Sequence, residues 1–217
     1  LLMVLQPHLS GTILILSIGV VMMFIGGTNL KWFALGGLFL VGAVVVIIFI
    51  PDAVPYAMSR LEHWINPASD PTGAGYQTLQ SLYAIGSGGL LGVGIGNSRQ
   101  KHLDLPEPQN DFVFSVVCEE LGFVGATIIL LLFVLLVWRG FAIAMRCRDR
   151  FGSMLAVGLT TQVGVQTILN IAVVSNTIPN TGISLPFFSY GGTALCMLLA
   201  QMGVVLSVSR YSTVEKE

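Results

Sequence analysis

The sequence predicts an all-α polytopic membrane protein, and its composition and the length of its apolar runs carry this prediction. Hydrophobic residues make up 54% of the 217 residues and charged residues only 10%, whereas a soluble domain usually has about 25% charged residues. The mean hydropathy is +0.82, and apolar runs of about 20 residues recur, a length that crosses ~30 Å of hydrocarbon. A soluble globular domain is therefore excluded, because this much apolar surface must face lipid.

Five apolar runs have the length and composition of a membrane-crossing helix. The third run is longer than a bilayer requires, so we expect it to tilt or to project from the membrane at its start. Leu1–Leu5 lack the charged start and the cleavage site of a signal peptide, so we expect them to end an apolar segment of a longer protein. The predicted spans are Leu9–Gly27, Trp32–Ile50, Phe112–Ile143, Met154–Val174 and Ser189–Val208.

One large polar region, Pro51–Asp111, separates the second and third spans and holds six of the eleven acidic residues and six of the nine prolines. Within it, Thr78–Ile85 has the pattern of a short amphipathic helix lying in the membrane interface. Gly86–Gly96 follows with six glycines in eleven residues. Because this run lacks the Lys-Ser or Lys-Thr of a P-loop and follows a predicted helix rather than a strand, it indicates a re-entrant or tightly packed turn, not a nucleotide site.

The lysines and arginines are distributed unevenly between the two sets of connections. Seven fall in one set and three in the other. Positively charged short connections stay in the cytoplasm, so the long loop is predicted to lie outside and the C-terminus inside. The inner set is Lys31, Arg139, Arg146, Arg148, Arg150, Arg210 and Lys216, and the outer set is Arg60, Arg99 and Lys101.

Charge and residue spacing exclude several classes of protein. The net charge of −1 gives no basic surface, so nucleic acid is not expected as a partner. Neither the cysteines nor the histidines have the spacing of metal ligands, and the cysteines lie in or beside apolar runs, so neither a zinc site nor a disulfide framework is indicated. These residues are Cys118, Cys147, Cys196, His8, His63 and His102.

Asp111 stands directly before the third span and has two compatible interpretations. As the N-cap residue, its carboxylate would accept hydrogen bonds from the first free amides and stabilise the helix by about 0.5–2 kcal/mol. As a carboxylate at the outer membrane boundary, it would serve as a general base tuned by Arg99 and Lys101. The residues by themselves leave both roles open.

Glu119 and Glu120 lie about 12–14 Å along the third span, at membrane depth. Neighbouring residues of a helix point about 100° apart, so both side chains cannot face one partner, and at least one must face a protein interior or a wet cavity. A hydrogen-bonded structural glutamate and a polar group on a substrate path are both consistent with this position.

A polar stripe follows one face of the fourth span, formed by Gln162, Gln166 and Asn170. Such a stripe either joins helices by hydrogen bonds or lines a cavity, and we expect the first role. Arg60, Arg99 and Lys101 are solvated loop charges or, because their loop returns to the membrane, groups that hold a phosphate-bearing lipid headgroup.

Several motifs occur in order along the chain and together strongly resemble the SEDS proteins (shape, elongation, division and sporulation), the family of the FtsW, RodA and SpoVE type. The match covers nearly the whole chain. The motifs are Asn66–Gln77, Gly94–Ser98, Gln100–Lys101, Leu105–Glu107, Asp111–Phe114, Glu119–Gly122, Thr181–Pro186 and Ser189–Gly192.

The resemblance implies a fold of ten transmembrane helices, of which residues 1–217 would be the C-terminal half and 51–111 the large extracytoplasmic loop. It implies peptidoglycan glycosyltransfer at the outer face of the bacterial cytoplasmic membrane, with lipid II as substrate. The implied partners are a class B penicillin-binding protein, other division or elongation proteins and membrane lipid. No cofactor is implied with certainty, and a divalent cation is left open.

The same resemblance places the essential catalytic acid of the family on Asp111. The predicted substrate-binding residues are Arg60, Gln100, Lys101, Glu107, Glu119 and Glu120. Departures from the family pattern, among them His8, Asn110 and Asn180, leave the division, elongation and sporulation types unresolved. A lipid II flippase and a non-catalytic scaffold for the transpeptidase are the alternative functions.

Overall fold

The structure is a computed structural model that describes residues 9–49, 64–67, 75–103, 105–106 and 108–211. These residues form helices and connecting loops, and the prediction of an all-α fold is confirmed. In chain order, the helices are α1 (Leu9–Ile25), α2 (Leu30–Phe49), α3 (Tyr76–Gly88), α4 (Gln100–Leu103), α5 (Val113–Arg146), α6 (Arg150–Val174) and α7 (Gly192–Tyr211).

Five long apolar helices lie where the five spans were predicted. Among the described residues, α5, α6 and α7 are long and apolar enough to cross a membrane, whereas α1 and α2 contain shorter apolar stretches, Gly11–Ile25 and Leu30–Phe39. The third predicted span is the longest helix, at 34 residues. Membrane crossing by α1 and α2 stays a prediction.

Helix α6 lies at the centre of the bundle, in contact with α1, α5 and α7. Small residues allow the close approach: a Cβ added at Gly140 of α5 would collide with Thr160 of α6, and Gly158 of α6 faces the Met22 sulfur of α1. Close packing of this kind holds helices together in lipid, where burial of apolar side chains provides little driving force.

Helix α3 confirms the short helix predicted at 78–85, but it is buried through small and polar residues. Its buried positions are Thr78, Ser81, Ala84 and Gly88, whereas the Tyr83 side chain is 53% exposed. The Ser81 hydroxyl donates to the carbonyl of Val174 at the end of α6 (2.9 Å). The small face therefore packs on the bundle and leaves Tyr83 exposed, while Ile85 is partly buried against the core. The place of the helix in the membrane interface stays a prediction.

The glycine-rich run packs tightly against a break in α5 at Gly122, whose φ of 67° and ψ of −170° are accessible essentially to glycine alone. A regular helix would bond each amide to the carbonyl four residues earlier; at the break, two amides and two carbonyls bond the glycine run instead. These bonds run from Phe123 N to Gly89 O (2.9 Å), Val124 N to Leu90 O (3.2 Å), Val93 N to Glu119 O (2.9 Å) and Gly94 N to Glu120 O (3.0 Å). The tightly packed turn expected from the glycines is therefore confirmed.

The two ends of the bundle differ in their charged residues. Helix α5 runs from Asp111 toward the α5–α6 turn, and α6 returns. Gly26, after α1, approaches Met154 near the start of α6, so the turn before Lys31 lies at the α5–α6 turn as well. We call this the arginine end, because it holds Arg146, Arg148, Arg150 and Arg210; the opposite end, with Asp111 and the α6–α7 loop, is the loop end.

Candidate functional site

Three consecutive backbone carbonyls before α5 are each held by a donor from α6 or from the loop that follows it. The Tyr190 amide donates to the Gln109 carbonyl at 2.7 Å. The Ser189 hydroxyl donates to the Asn110 carbonyl at 2.6 Å, and the Asn170 side-chain amide donates to the Asp111 carbonyl at 2.8 Å. The main chain on which Asp111 sits is thus fixed to residues 59 to 81 positions away in sequence.

The α6–α7 loop is itself held in a shape that depends on special backbone conformations. Gly182 has a φ of 68° and Phe187 a φ of 67°; the second value is a genuine outlier for an aromatic residue. The Ser189 hydroxyl also accepts a bond from the Leu185 amide (2.7 Å), which closes the turn around Phe187. Local strain of this kind persists only where surrounding contacts fix it, and it occurs most often at functional sites.

The polar stripe of α6 joins elements by hydrogen bonds, as predicted. Asn170, fully buried, also donates to the Ile183 carbonyl (2.6 Å), and Gln166 donates to the Ser184 carbonyl (3.0 Å). The Gln201 side chain of α7 donates to Gln162 (3.4 Å). Gln162 and Gln166 in addition line a cavity of about 170 Å³ between α6, α7 and the loop, so the stripe has both proposed properties.

Asp111 is half-buried and does not occupy the N-cap position of α5. The helix begins at Val113, and Phe112 is the N-cap residue. The expectation that Asp111 itself is the N-cap is therefore wrong, because the chain makes one further non-helical residue before the first turn. The carboxylate points toward the loop after α6: a Cβ added at Gly182 would lie 3.5 Å from its Oδ2. Substitution at Gly182 would bring a side chain against this carboxylate.

Lys101 and Glu120 lie next to each other in the lining of a cleft of about 510 Å³ at the loop end. The Lys101 Nζ lies 3.8 Å from Glu120 Oε1, and the two side chains are 44% and 13% exposed. Gln109 lines the same cleft, two residues before Asp111. The remaining lining is mostly apolar or aromatic: Pro108, Val113, Val116, Val117, Phe188 and Tyr190. The cleft thus combines one cation, one carboxylate and an apolar wall.

Glu119 is enclosed within the protein, in contrast to its neighbour Glu120. It is 2% exposed, and its carboxylate accepts bonds from the Ser98 hydroxyl (2.5 Å) and the Arg99 amide (3.0 Å). These are the contacts of a structural glutamate. Its predicted role in substrate binding stays a prediction, and it does not line the cleft described above.

The other predicted site residues are placed as follows. Gln100 begins α4 beside Lys101, and its buried Oε1 has no hydrogen-bond partner among the described residues. Arg60 and Glu107 lie outside the described residues. In the parts of the chain that are described, His, Cys, Asp and Glu side chains form no cluster of three suited to a metal, so the divalent cation stays a prediction.

Sequence reasoning did not identify Ser98, Ser189 or Tyr190 as site residues. Ser98 and Ser189 are buried or half-buried hydroxyls whose partners are 21 and 79 residues away. Tyr190, 77% exposed, lines the Lys101 cleft. Ser98 lies in the motif Gly94–Ser98, and Ser189 and Tyr190 lie in Ser189–Gly192. These motifs could have marked the three residues as candidates, but a motif does not indicate which residues are in contact.

Curated relatives resemble this chain over nearly all of its length. It is 46% identical to stage V sporulation protein E of Bacillus subtilis over 95% of the chain and 56% of that protein. It is 39% identical to the probable peptidoglycan glycosyltransferase FtsW of Trichlorobacter lovleyi over 94% of the chain and 53% of that protein. The chain therefore spans about half the length of the curated relatives it matches.

Two solved structures are similar in fold. One, described as the structural coordination of polymerization and crosslinking by a peptidoglycan synthase complex, matches 99% of this chain and 59% of its own with a TM-score of 0.76 and 34% identity. The other, a mutant of the rod shape determining protein RodA of Thermus thermophilus, matches 100% of this chain and 54% of its own with a TM-score of 0.61 and 30% identity. A family model described as cell cycle protein matches residues 1–214. The chain thus belongs to the FtsW, RodA and SpoVE family, the SEDS proteins that its motifs indicated.

Proposed function

We propose that this chain carries the catalytic site of a peptidoglycan glycosyltransferase that polymerises lipid II at the outer face of the bacterial cytoplasmic membrane. The observation that carries the proposal is the fixed main chain at 109–111, which holds the half-buried Asp111 at the loop end beside the Lys101 cleft. The names of relatives, probable peptidoglycan glycosyltransferases among them, support the reaction class.

In the proposed reaction, the 4-hydroxyl of an acceptor N-acetylglucosamine attacks the anomeric carbon of a donor N-acetylmuramic acid. The new glycosidic bond forms as the bond to undecaprenyl pyrophosphate breaks. The hydroxyl proton passes to the Asp111 carboxylate, because an alcohol is too weak an acid to react without a base; a positioned base contributes about 10² to 10⁴-fold. Since one carboxylate suffices, the paired acids of a glycosidase are not required.

Lys101 and Arg60 are the proposed partners of the pyrophosphate, whose charge grows as the bond breaks. Lys101 presents its ammonium at the cleft, and the apolar wall next to it suits the start of a prenyl chain. The leaving pyrophosphate is already a weak base, so it needs a cation rather than a proton donor.

The loop end is proposed to face the outside, because cations concentrate at the arginine end and the short connections there carry them. A class B penicillin-binding protein is the proposed partner, supported by the solved relative in which polymerization is coordinated with crosslinking.

Glycan polymerisation by the purified protein with lipid II and the partner transpeptidase tests the proposal. We expect glycan strands from the parent protein and none from an Asp111→Asn variant that inserts normally. If lipid II crosses liposome membranes while no strands form, the protein is a flippase. If neither activity is found although the transpeptidase is bound, it is a scaffold.

A further inference from the structure

Glu119 is an ionisable side chain buried near the start of α5, 2% exposed, and both of its carboxylate oxygens accept hydrogen bonds. Oε2 accepts the Ser98 hydroxyl at 2.5 Å, and Oε1 accepts the Arg99 amide at 3.0 Å. A carboxylate side chain can accept hydrogen bonds at both oxygens, and here each oxygen has one donor from the segment before α4. The carboxylate therefore fixes the turn that leads into α4.

Ser98 extends this connection to Lys101. Its hydroxyl donates to Glu119 and at the same time accepts the Lys101 amide (3.0 Å). Because the Ser98 hydroxyl hydrogen points at Glu119, a lone pair of the Ser98 oxygen is free to accept the Lys101 amide. Ser98 is 1% exposed, so no solvent competes for these bonds, and the main chain of Lys101 is held from the interior.

The side chain of Lys101 is held far less firmly than its main chain. Its ammonium lies 3.8 Å from Glu120 Oε1 and the side chain is 44% exposed; this separation is beyond a hydrogen bond. An incoming anion can therefore take the place of Glu120 as partner. Adjacent glutamates thus hold the same lysine in two ways, Glu119 through the backbone and Glu120 through the ammonium.

We propose that Glu119, acting through Ser98, is a positioning residue that fixes the main chain of Lys101 so that the ammonium reaches the cleft. In this role Glu119 sets the position of the cation through Ser98 and needs no contact of its own with substrate. This inference rests on the proposed function, in which Lys101 binds the pyrophosphate of the lipid II donor.

Steady-state polymerisation of lipid II tests whether Ser98 acts through Lys101. Ser98→Ala is measured both in the unaltered protein, called the parent, and in a protein that also carries Lys101→Ala. We expect Ser98→Ala to raise the KM for lipid II about tenfold, as for a buried acceptor that loses its hydrogen-bond donor, and to change kcat much less. In the Lys101→Ala background the same substitution should leave KM nearly unchanged, because the effects of substitutions do not add when one residue acts through the other. Ser87→Ala is the matched control, because the bond of this exposed serine among the described residues is to the Ala84 carbonyl of its own helix.

An equal rise in KM in both backgrounds would mean that Ser98 acts on the fold in general, and the proposal would be overturned. An unchanged KM in the parent background would also overturn it. Should the parent protein itself fail to polymerise lipid II, the proposed function is wrong, and hydrogen exchange then decides the positioning role by itself. Glu119→Gln should accelerate exchange at the Arg99 and Lys101 amides but not in α6; unaltered exchange at those two amides contradicts the inference.

Discussion

Single side chains of α6 and of the following loop fix the main chain next to Asp111. Asn170, Ser189 and Tyr190 each hold one carbonyl of three consecutive residues, at 2.6 to 2.8 Å. Buried carbonyl groups require partners, so this stretch has one favourable path, and the carboxylate position is set by α6 and its loop as much as by α5.

Replacement of Asp111 by Asn separates catalysis from helix stability. Since Phe112, not Asp111, is the N-cap residue, we expect Asp111→Asn to insert and to melt close to the parent. It cannot accept a proton, so lipid II polymerisation should fall by at least ~10²-fold, measured as strand formation at saturating lipid II.

Asp149 provides the matched control for this substitution. It is the N-cap of α6, where its Oδ2 accepts the Gly152 amide at 2.8 Å. Asp149→Ala should lower the free energy of unfolding by about 0.5–2 kcal/mol while the protein that remains folded polymerises normally. Near-parent polymerisation by Asp111→Asn would move the search for the base to Glu107.

Asn170→Ala should impair both stability and activity. It removes the donor to the Asp111 and Ile183 carbonyls, and a buried acceptor without a partner costs about 1–3 kcal/mol. We expect a lower melting temperature and slower polymerisation, measured on the same preparation. Among the described residues, the Gln166 side chain bonds Ser184, so Gln166→Ala should have the smaller effect on rate. The reverse order would show that Asn170 does not position Asp111.

At the scale of elements, the glycine-rich run and the break in α5 form one unit. The run supplies hydrogen bonds that the broken helix lacks, and it does so at distances that exclude a Cβ. A Cβ at Gly92 would collide with the Glu120 carbonyl, and one at Gly122 would collide with the Gly92 amide. This unit also places Glu119 and Glu120 at the turn that carries Lys101.

Gly122→Ala should therefore be strongly destabilising. Its backbone conformation is essentially restricted to glycine, at a cost of about 1–3 kcal/mol for another residue, and the collision with the run adds to this. Thermal unfolding in detergent measures the effect. Gly86→Ala in α3 is the control, because a Cβ there meets nothing within 4 Å and helix propensity favours Ala by about 0.5–1 kcal/mol. Equal melting temperatures for the two variants would contradict the role of the break.

At the scale of the whole molecule, the distribution of cations predicts that the two ends of the bundle lie on opposite sides of the membrane. Ser175, exposed at the loop end after α6, and Ser153, at the arginine end, report the two sides. With the native cysteines replaced, Ser175→Cys should react with an impermeant reagent added to intact cells, and Ser153→Cys only after permeabilisation. Reaction of Ser153→Cys alone would place Asp111 on the cytoplasmic side, where a cell-wall polymerase could not work.

The sequence by itself determined the helical class, the position of the five long helices and the family. These follow from composition, run length and ordered motifs, which are properties of short stretches of chain. It also indicated the polar stripe of α6 and the packed glycine turn. A period of four residues places side chains on one face of a helix, and six glycines in eleven residues allow backbone segments to approach closely.

Only the tertiary structure decided how the motifs meet. The bond between Ser189 and Asn110 joins residues 79 apart in sequence, and nothing local predicts such a pair. The difference between Glu119 and Glu120 is likewise a matter of which face of α5 meets the glycine run, since adjacent residues point about 100° apart. The prediction that Asp111 is the N-cap residue was wrong for a similar, non-local reason. The Asp111 carbonyl is held by Asn170 of α6, and α5 begins one residue later than predicted, with Phe112 as its N-cap.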